Sequence, residues 1–406
     1  MRILFCGDSF PGHFSALASA LASQGHEVLF ASHYGRRDFA LPGVHRVLLK
    51  PVRERSPLKR TLTSARQAHA AFLSLRDAGL APDAVLFSAS SAIPLWAHKA
   101  FPKAMLFGYA DSAVLLADPS PSEQAVPGEE EQAAMLRSSA LAHCHAIFAF
   151  SEQCLAGLPP LMARNARVLP AFIDTDFFSP DSAKPFACAG RIFPQDGELV
   201  AMDIRPHRGE DSLAPRALWE LALGLLAHRP HCTVLLNCAN AELKEASQDL
   251  AKRLPESWQS RLAVQGYSSL ESWRDMLAAS ALFVLPDPCI TAGGVVLPEA
   301  LEAMACGASV ASPCLPGQGR GAFAPAMPEL AQDSAEKRFL RVCEHLDSLA
   351  CGTSPKKAIR ATIVEYYSHA LRLPSHMEEL MSLCREHRPG AVWRLGLKGI
   401  HHEEYA

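Results

Sequence analysis

Residues 290–312 read ITAGGVVLPEALEAMACGASVAS. A glycine pair, Gly293 and Gly294, leads through apolar residues into a segment of helical spacing that carries Glu299 and Glu302 and stops at Gly307. Another apolar run follows. Gly, with no side chain, lets backbone approach a ligand and presents bare N–H groups, which suit phosphate oxygens. A carboxylate a turn further along can accept hydrogen bonds from a sugar diol, as acidic residues do with ribose in doubly wound folds. Two acids near a helix start also have a plainer reading, stabilisation of the macrodipole by a few tenths of a kcal/mol.

The rest of the chain supplies the frame for that stretch. Short apolar runs at Arg2–Gly7, Glu27–Ser32, Val44–Lys50, Asp83–Ser88, Ala104–Tyr109 and Ala146–Ser151 read as buried strands, separated by helical segments. In the first such segment Phe14, Leu17, Ala18 and Leu21 recur at helical spacing, and Gly25 supplies the stop. After a Pro- and Gly-containing passage, Pro180–Gly197, which reads as a linker, the alternation restarts. Strands are expected at Leu199–Ile204, Cys232–Asn237, Leu262–Gly266 and Ala281–Pro286, the last directly before residue 290. The pattern predicts an α/β chain of two Rossmann-like, doubly wound domains, 1–180 and 181–370, with trailing C-terminal helices and a tail at 371–406. Packing of those helices back on the N-terminal domain is the expectation. Ligands of such sheets sit beyond the carboxyl ends of the strands.

Composition agrees and narrows the class. With 406 residues, 49% hydrophobic and 20% charged, the chain has material for two soluble cores. A formal charge of -3 gives no field that would gather nucleic acid. The 12 cysteines lie mostly in apolar runs without a CxxC pair and read as reduced core thiols. No charged-then-apolar leader and no membrane-length apolar stretch is evident, so a cytoplasmic location is expected. Lys50–Arg66 holds six basic residues against Glu54. It reads as a solvated face, with peripheral contact to an anionic membrane or a lipid-linked acceptor as the other reading.

The run LEAMACGASV resembles the donor-site helix of glycosyltransferase family 4, retaining enzymes of the GT-B fold that use nucleotide-activated sugars. FCGDSFPGHFSALASALASQGHEV resembles the opening of a family 4 subgroup whose N-terminal segment contains FPG. FIDTDFFSP and QGYSSLESWRDMLAASALFVLPD resemble further segments in the family's order. The resemblance covers roughly the whole chain and implies a hexosyltransferase-type enzyme. Its donor would be a nucleoside-diphosphate sugar, bound with no resident cofactor and no metal, and its acceptor a glycan, a lipid-linked molecule or a small molecule.

Residue by residue, the resemblance places the ribose hydroxyls on Glu302. The family's first motif glutamate falls on Gly294, which leaves Glu299 either to reach the donor sugar or to stabilise its helix start. In AMDIRPHRGEDS, Arg208 falls on the family's diphosphate lysine with one residue inserted. Met202 replaces its arginine, and Arg205 is the candidate to compensate. Gly12 would bring backbone to the donor phosphates. His13 and Asp111 are the candidate catalytic or acceptor-side groups, against an exposed helix-start histidine and a turn-forming aspartate. HCH at His143–His145 and HHEE at His401–Glu404 lack metal-site spacing.

Other classes stay open beside this one. A degenerate GT-B protein that binds a nucleotide or a partner but transfers nothing is suggested by Gly294 and Met202. A nucleotide-sugar epimerase on the same fold is another. An NAD-dependent oxidoreductase is disfavoured because the first strand leads into GDSFPGHF rather than GxGxxG. No side chain singled out reads a base edge, so base, sugar and acceptor remain open.

Overall fold

The computed structural model describes residues 1–35, 40–54, 56–110, 128–195, 197–205, 213–266, 269–287, 295–313, 330, 334–351 and 355–387. The chain divides into two compact units, Met1–Phe172 with Leu371–Ala406, and Ile173–Ala370. Arg208, Asp111, Gly293 and Gly294 lie outside the described residues.

The first unit is built on seven strands, β1 (Arg2–Cys6), β3 (Glu27–Ser32), β5 (Val44–Leu48), β6 (Ala84–Ser88), β7 (Met105–Ala110), β8 (Ala146–Ala149) and β9 (Ala166–Val168). Their order is β5-β3-β1-β6-β7-β8-β9, with every pairing parallel. The central strands are buried on both faces, which is why they read as unbroken apolar runs. A two-residue pair, β2 (Ser9–Phe10) with β4 (Tyr34–Gly35), flanks the sheet's carboxyl edge. The helix His369–His387, most of which belongs to this unit, buries Met377, Leu380, Met381 and Cys384. Within the unit His376 stands edge-on to Phe172 at 4.8 Å, and Arg167 pairs with Glu379.

The Pro180–Gly197 passage is a hairpin rather than a plain linker. Strands β10 (Phe186–Cys188) and β11 (Arg191–Phe193) pair antiparallel across a tip of Ala189 and Gly190, both at positive φ. Positive φ at both turn residues suits the right-handed twist of a two-residue hairpin. Phe186 and Phe193 pack with tilted rings 5.5 Å apart in the core of the second unit. Strands of three residues are too short to show a period, so proline content dominates that passage when it is read as sequence.

The second unit carries β12 (Leu199–Ile204), β13 (Thr233–Cys238), β14 (Leu262–Gly266), β15 (Ser280–Val284) and β16 (Ser309–Ala311), in the parallel order β14-β13-β12-β15-β16. Side chains of β12 alternate between two cores. Leu199 and Ala201 join the face covered by the helices Leu270–Ala279 and Pro298–Ala305, while Val200, Met202 and Ile204 join the face covered by Pro215–His228 and Ala335–Cys351. Chain order reverses between β12 and β15, which makes their carboxyl ends the topological switch point where open α/β sheets bind ligands.

Candidate nucleotide-sugar site

The face that is apolar along most of the second sheet turns polar at its carboxyl end. Leu199 and Ala201 are followed on that face by Asp203, Leu235 by Asn237, and Ala263 by Gln265. Asp203, Asn237 and Gln265 lie in register on adjacent strands. Asn237 Nδ2 donates to Asp203 Oδ1 at 3.2 Å, and Gln265 Nε2 donates to Asn237 Oδ1 at 3.3 Å. A buried carboxylate needs such partners, since desolvation of an unpaired charge costs several kcal/mol.

Arg205, the first residue past β12, is the hub of this edge. Its Nε donates to Asp203 Oδ2 at 2.7 Å, its Nη2 reaches Glu299 Oε1 at 3.0 Å, and its Nη1 lies 3.8 Å from Asp287 Oδ2. Asp203 is fully buried and the Arg205 side chain only 11% exposed. The guanidinium fork thus joins β12, the turn after β15 and the helix after β15 across the switch point. Arg205, a diphosphate candidate by sequence, hydrogen-bonds two carboxylates, Asp203 and Glu299, and lies within ion-pair distance of a third, Asp287.

Glu299 and Glu302 stand one turn apart on the helix Pro298–Ala305 and face different partners. Leu297 is the N-cap and makes no side-chain cap, Pro298 fills the first turn, and Glu299 goes to Arg205. Glu302 Oε2 accepts a hydrogen bond from Trp273 Nε1 at 2.6 Å. Trp273, on the helix Leu270–Ala279, is buried and edge-on to Phe283 at 5.4 Å. The helix ends in a Schellman motif: Ala308 N donates to Ala303 O, Gly307 N donates to Met304 O, and Gly307 adopts φ 88°. Burial raises the thiol pKa of Cys306, with the Glu302 carboxylate adding to it, so this cysteine is an inert core thiol. Met202, where the resemblance would put an arginine, lies in the opposite core.

In the first unit Gly12 is exposed at φ 52° in the single turn Gly12–Phe14, with open space where a side chain would start. His13 packs on Phe150, ring centroids 5.3 Å apart. Tyr109 is buried among Phe14, Phe148 and Phe150, and burial raises its phenol pKa, which makes it a core aromatic.

Among the described residues, Asp174, Asp176 and His369 bring metal-ligand-type atoms within 4.8 Å of one another. Asp174 faces Nδ1 and Asp176 faces Nε2, each at 3.6 Å, and Thr175 N also donates to Nδ1. The carboxylates address opposite edges of the ring rather than one point, and Nδ1 already accepts from Thr175 N, which does not make a coordination sphere. No helix among the described residues is long and apolar enough to cross a membrane.

Asp203, Asn237, Gln265, Asp287 and Trp273 were not picked out from sequence. Asp203 and Asn237 did leave a signal, a single polar residue near the end of an otherwise apolar strand in VAMDI and VLLNC.

No family model matches the chain, and no curated protein matches it. Solved structures do. Sucrose-phosphate synthase from Thermosynechococcus elongatus is similar at 16% identity and a TM-score of 0.59, over 94% of this chain and 99% of that one. HepE from Anabaena, solved in complex with UDP-glucose, is similar at 14% identity and 0.57, over 94% and 100%. A putative UDP-N-acetylglucosamine 2-epimerase from Listeria monocytogenes is similar at 14% and 0.59, over 89% and 90%. At such identities the likeness is one of fold. The chain is an α/β protein of the GT-B fold.

Proposed function

We propose that the chain is a retaining glycosyltransferase of the family 4 type, moving a sugar from a nucleoside diphosphate to a glycan, lipid-linked or small-molecule acceptor. The observation that carries this reading is the placement of Glu302. It stands on the helix that follows β15 at the switch point, directly before the run AMACG, where the family 4 resemblance puts the glutamate that holds ribose. Glu302 would take the ribose hydroxyls. Arg208, three residues beyond Arg205 in the sequence, would take the diphosphate, whose growing negative charge needs a fixed cation as the sugar leaves. Gly293, Gly294 and Gly12 would offer backbone, and His13 and Asp111 polar groups on the acceptor side. The reaction would run without a metal. The chain would act in the cytoplasm, with at most peripheral membrane contact.

Thermal unfolding with saturating UDP, GDP, ADP and CMP tests the donor site. A ligand at about a hundred times its dissociation constant stabilises the native state by roughly 2.7 kcal/mol. One nucleotide should raise the midpoint in the parent chain and fail to do so in Glu302→Ala. Absence of any shift would leave the motif as a structural helix and favour the non-catalytic reading that Gly294 and Met202 suggest.

The likeness to the Listeria epimerase supports a second reading. An epimerase converts its nucleotide sugar with no acceptor present, whereas a transferase releases nucleoside diphosphate in proportion to acceptor. Incubating the chain with UDP sugars alone separates the two.

A further inference from the structure

We infer that Trp273 is a positioning residue for Glu302, fixing the carboxylate that selects a ribose diol over a deoxyribose. The inference rests on the proposed nucleotide-binding role of Glu302 and deepens it.

The indole offers one N–H and no acceptor, and its direction is set by a rigid ring. Trp273 is 2% exposed and held edge-on by Phe283, so its N–H has a fixed aim from the helix Leu270–Ala279. That aim is Glu302 Oε2, which accepts the bond at 2.6 Å. A glutamate has three side-chain torsions, and holding it before the ligand arrives removes an ordering cost from binding. The helix itself is anchored by the Schellman turn at Gly307, and Arg360 Nη1 donates to Ala305 O in its last turn. Backbone and side chain of Glu302 are therefore held by separate devices.

A buried tryptophan needs an acceptor in any case, and the plain structural reading is that Glu302 serves Trp273. The two readings part on ligand selectivity. Trp273→Phe keeps an aromatic ring against Phe283 and deletes the N–H. Calorimetric titration of the full chain would use UDP against 2′-deoxy-UDP and GDP against 2′-deoxy-GDP. The parent chain should prefer the ribo form, and Glu302→Ala should abolish the preference. Trp273→Phe should reduce it on the order of tenfold, the value of one pre-ordered side chain, with deoxy-form affinity unchanged. The double variant should match Glu302→Ala.

Equal weakening of ribo and deoxy forms in Trp273→Phe, or an unchanged preference, would overturn the inference while loss of preference in Glu302→Ala upheld the parent reading. A preference that survives Glu302→Ala, or no binding by the parent chain, removes both. Should Trp273→Phe fail to fold, the indole N–H resonances of the parent chain decide. One should move with the ribo form and far less with the deoxy form, and a spectrum indifferent to the two overturns the proposal.

Discussion

Arg205 is the counter-charge of a fully buried Asp203 and ties β12 to Glu299. Removing one partner of a buried pair leaves the other desolvated and costs about 3–5 kcal/mol. Arg205→Met should therefore lower the urea midpoint of the nucleotide-free chain by a large margin, and Arg205→Lys by less, since Lys keeps the charge but loses the fork. A primary diphosphate ligand would show the reverse, weaker nucleotide binding at unchanged stability. His376 offers a second test at this scale. Burial lowers its pKa from the ordinary histidine value of 6.5 to about 4, against a hydrogen bond to Arg372 O that acts in the other direction. Below 6.5 the unfolded chain binds a proton that the folded one refuses. The neutral-histidine contribution is thus whole above that value and is lost as pH falls from 6.5 through about 4. The loss amounts to about 3 kcal/mol across the window. In His376→Gln the melting temperature should depend less steeply on pH over that range.

At the scale of elements, legibility followed length and burial. Strands such as β6 and β7 were readable because both faces are buried and the whole run is apolar. The β10–β11 hairpin was not, and neither was the sharing of Glu299 and Glu302 between separate partners, because Arg205 and Trp273 are remote in sequence and helical spacing names a face without naming what meets it. Glu302 itself was legible only through its motif. Part of that motif is structural: Gly307 sits at φ 88°, where an added Cβ would lie 3.2 Å from Lys356 O. Gly307→Ala combines a left-handed backbone with that approach and should cost ~1–2 kcal/mol. The measurement is a lowered melting temperature with the dissociation constant of the bound nucleotide unchanged. A large loss of affinity at unchanged stability would instead make Gly307 part of the binding surface.

For the whole molecule, the two units differ in how the chain supplies them. The first needs residues from both ends, Met1–Phe172 and Leu371–Ala406. The second is one continuous segment, Ile173–Ala370, with its own five-stranded sheet and a core on each face. Its two ends are also closed on each other. Ile173 N donates to Tyr367 O at 2.9 Å, His369 N donates to Ile173 O at 2.8 Å, and Thr175 Oγ1 and Ser368 Oγ are 3.0 Å apart. Arg360 binds the carbonyls of Thr175 and Phe178 near that junction. A segment with a complete core and tethered termini meets the physical conditions for folding alone. The isolated 173–370 segment should therefore unfold in one cooperative urea transition and be stabilised by the nucleotide that stabilises the full chain. Residues 1–172 without the C-terminal segment should unfold more readily, because Phe172 then loses His376 and Arg167 loses Glu379. A 173–370 segment that folds but ignores every nucleotide would show that the switch-point edge, with Glu302 and the Arg205 hub, does not suffice for binding.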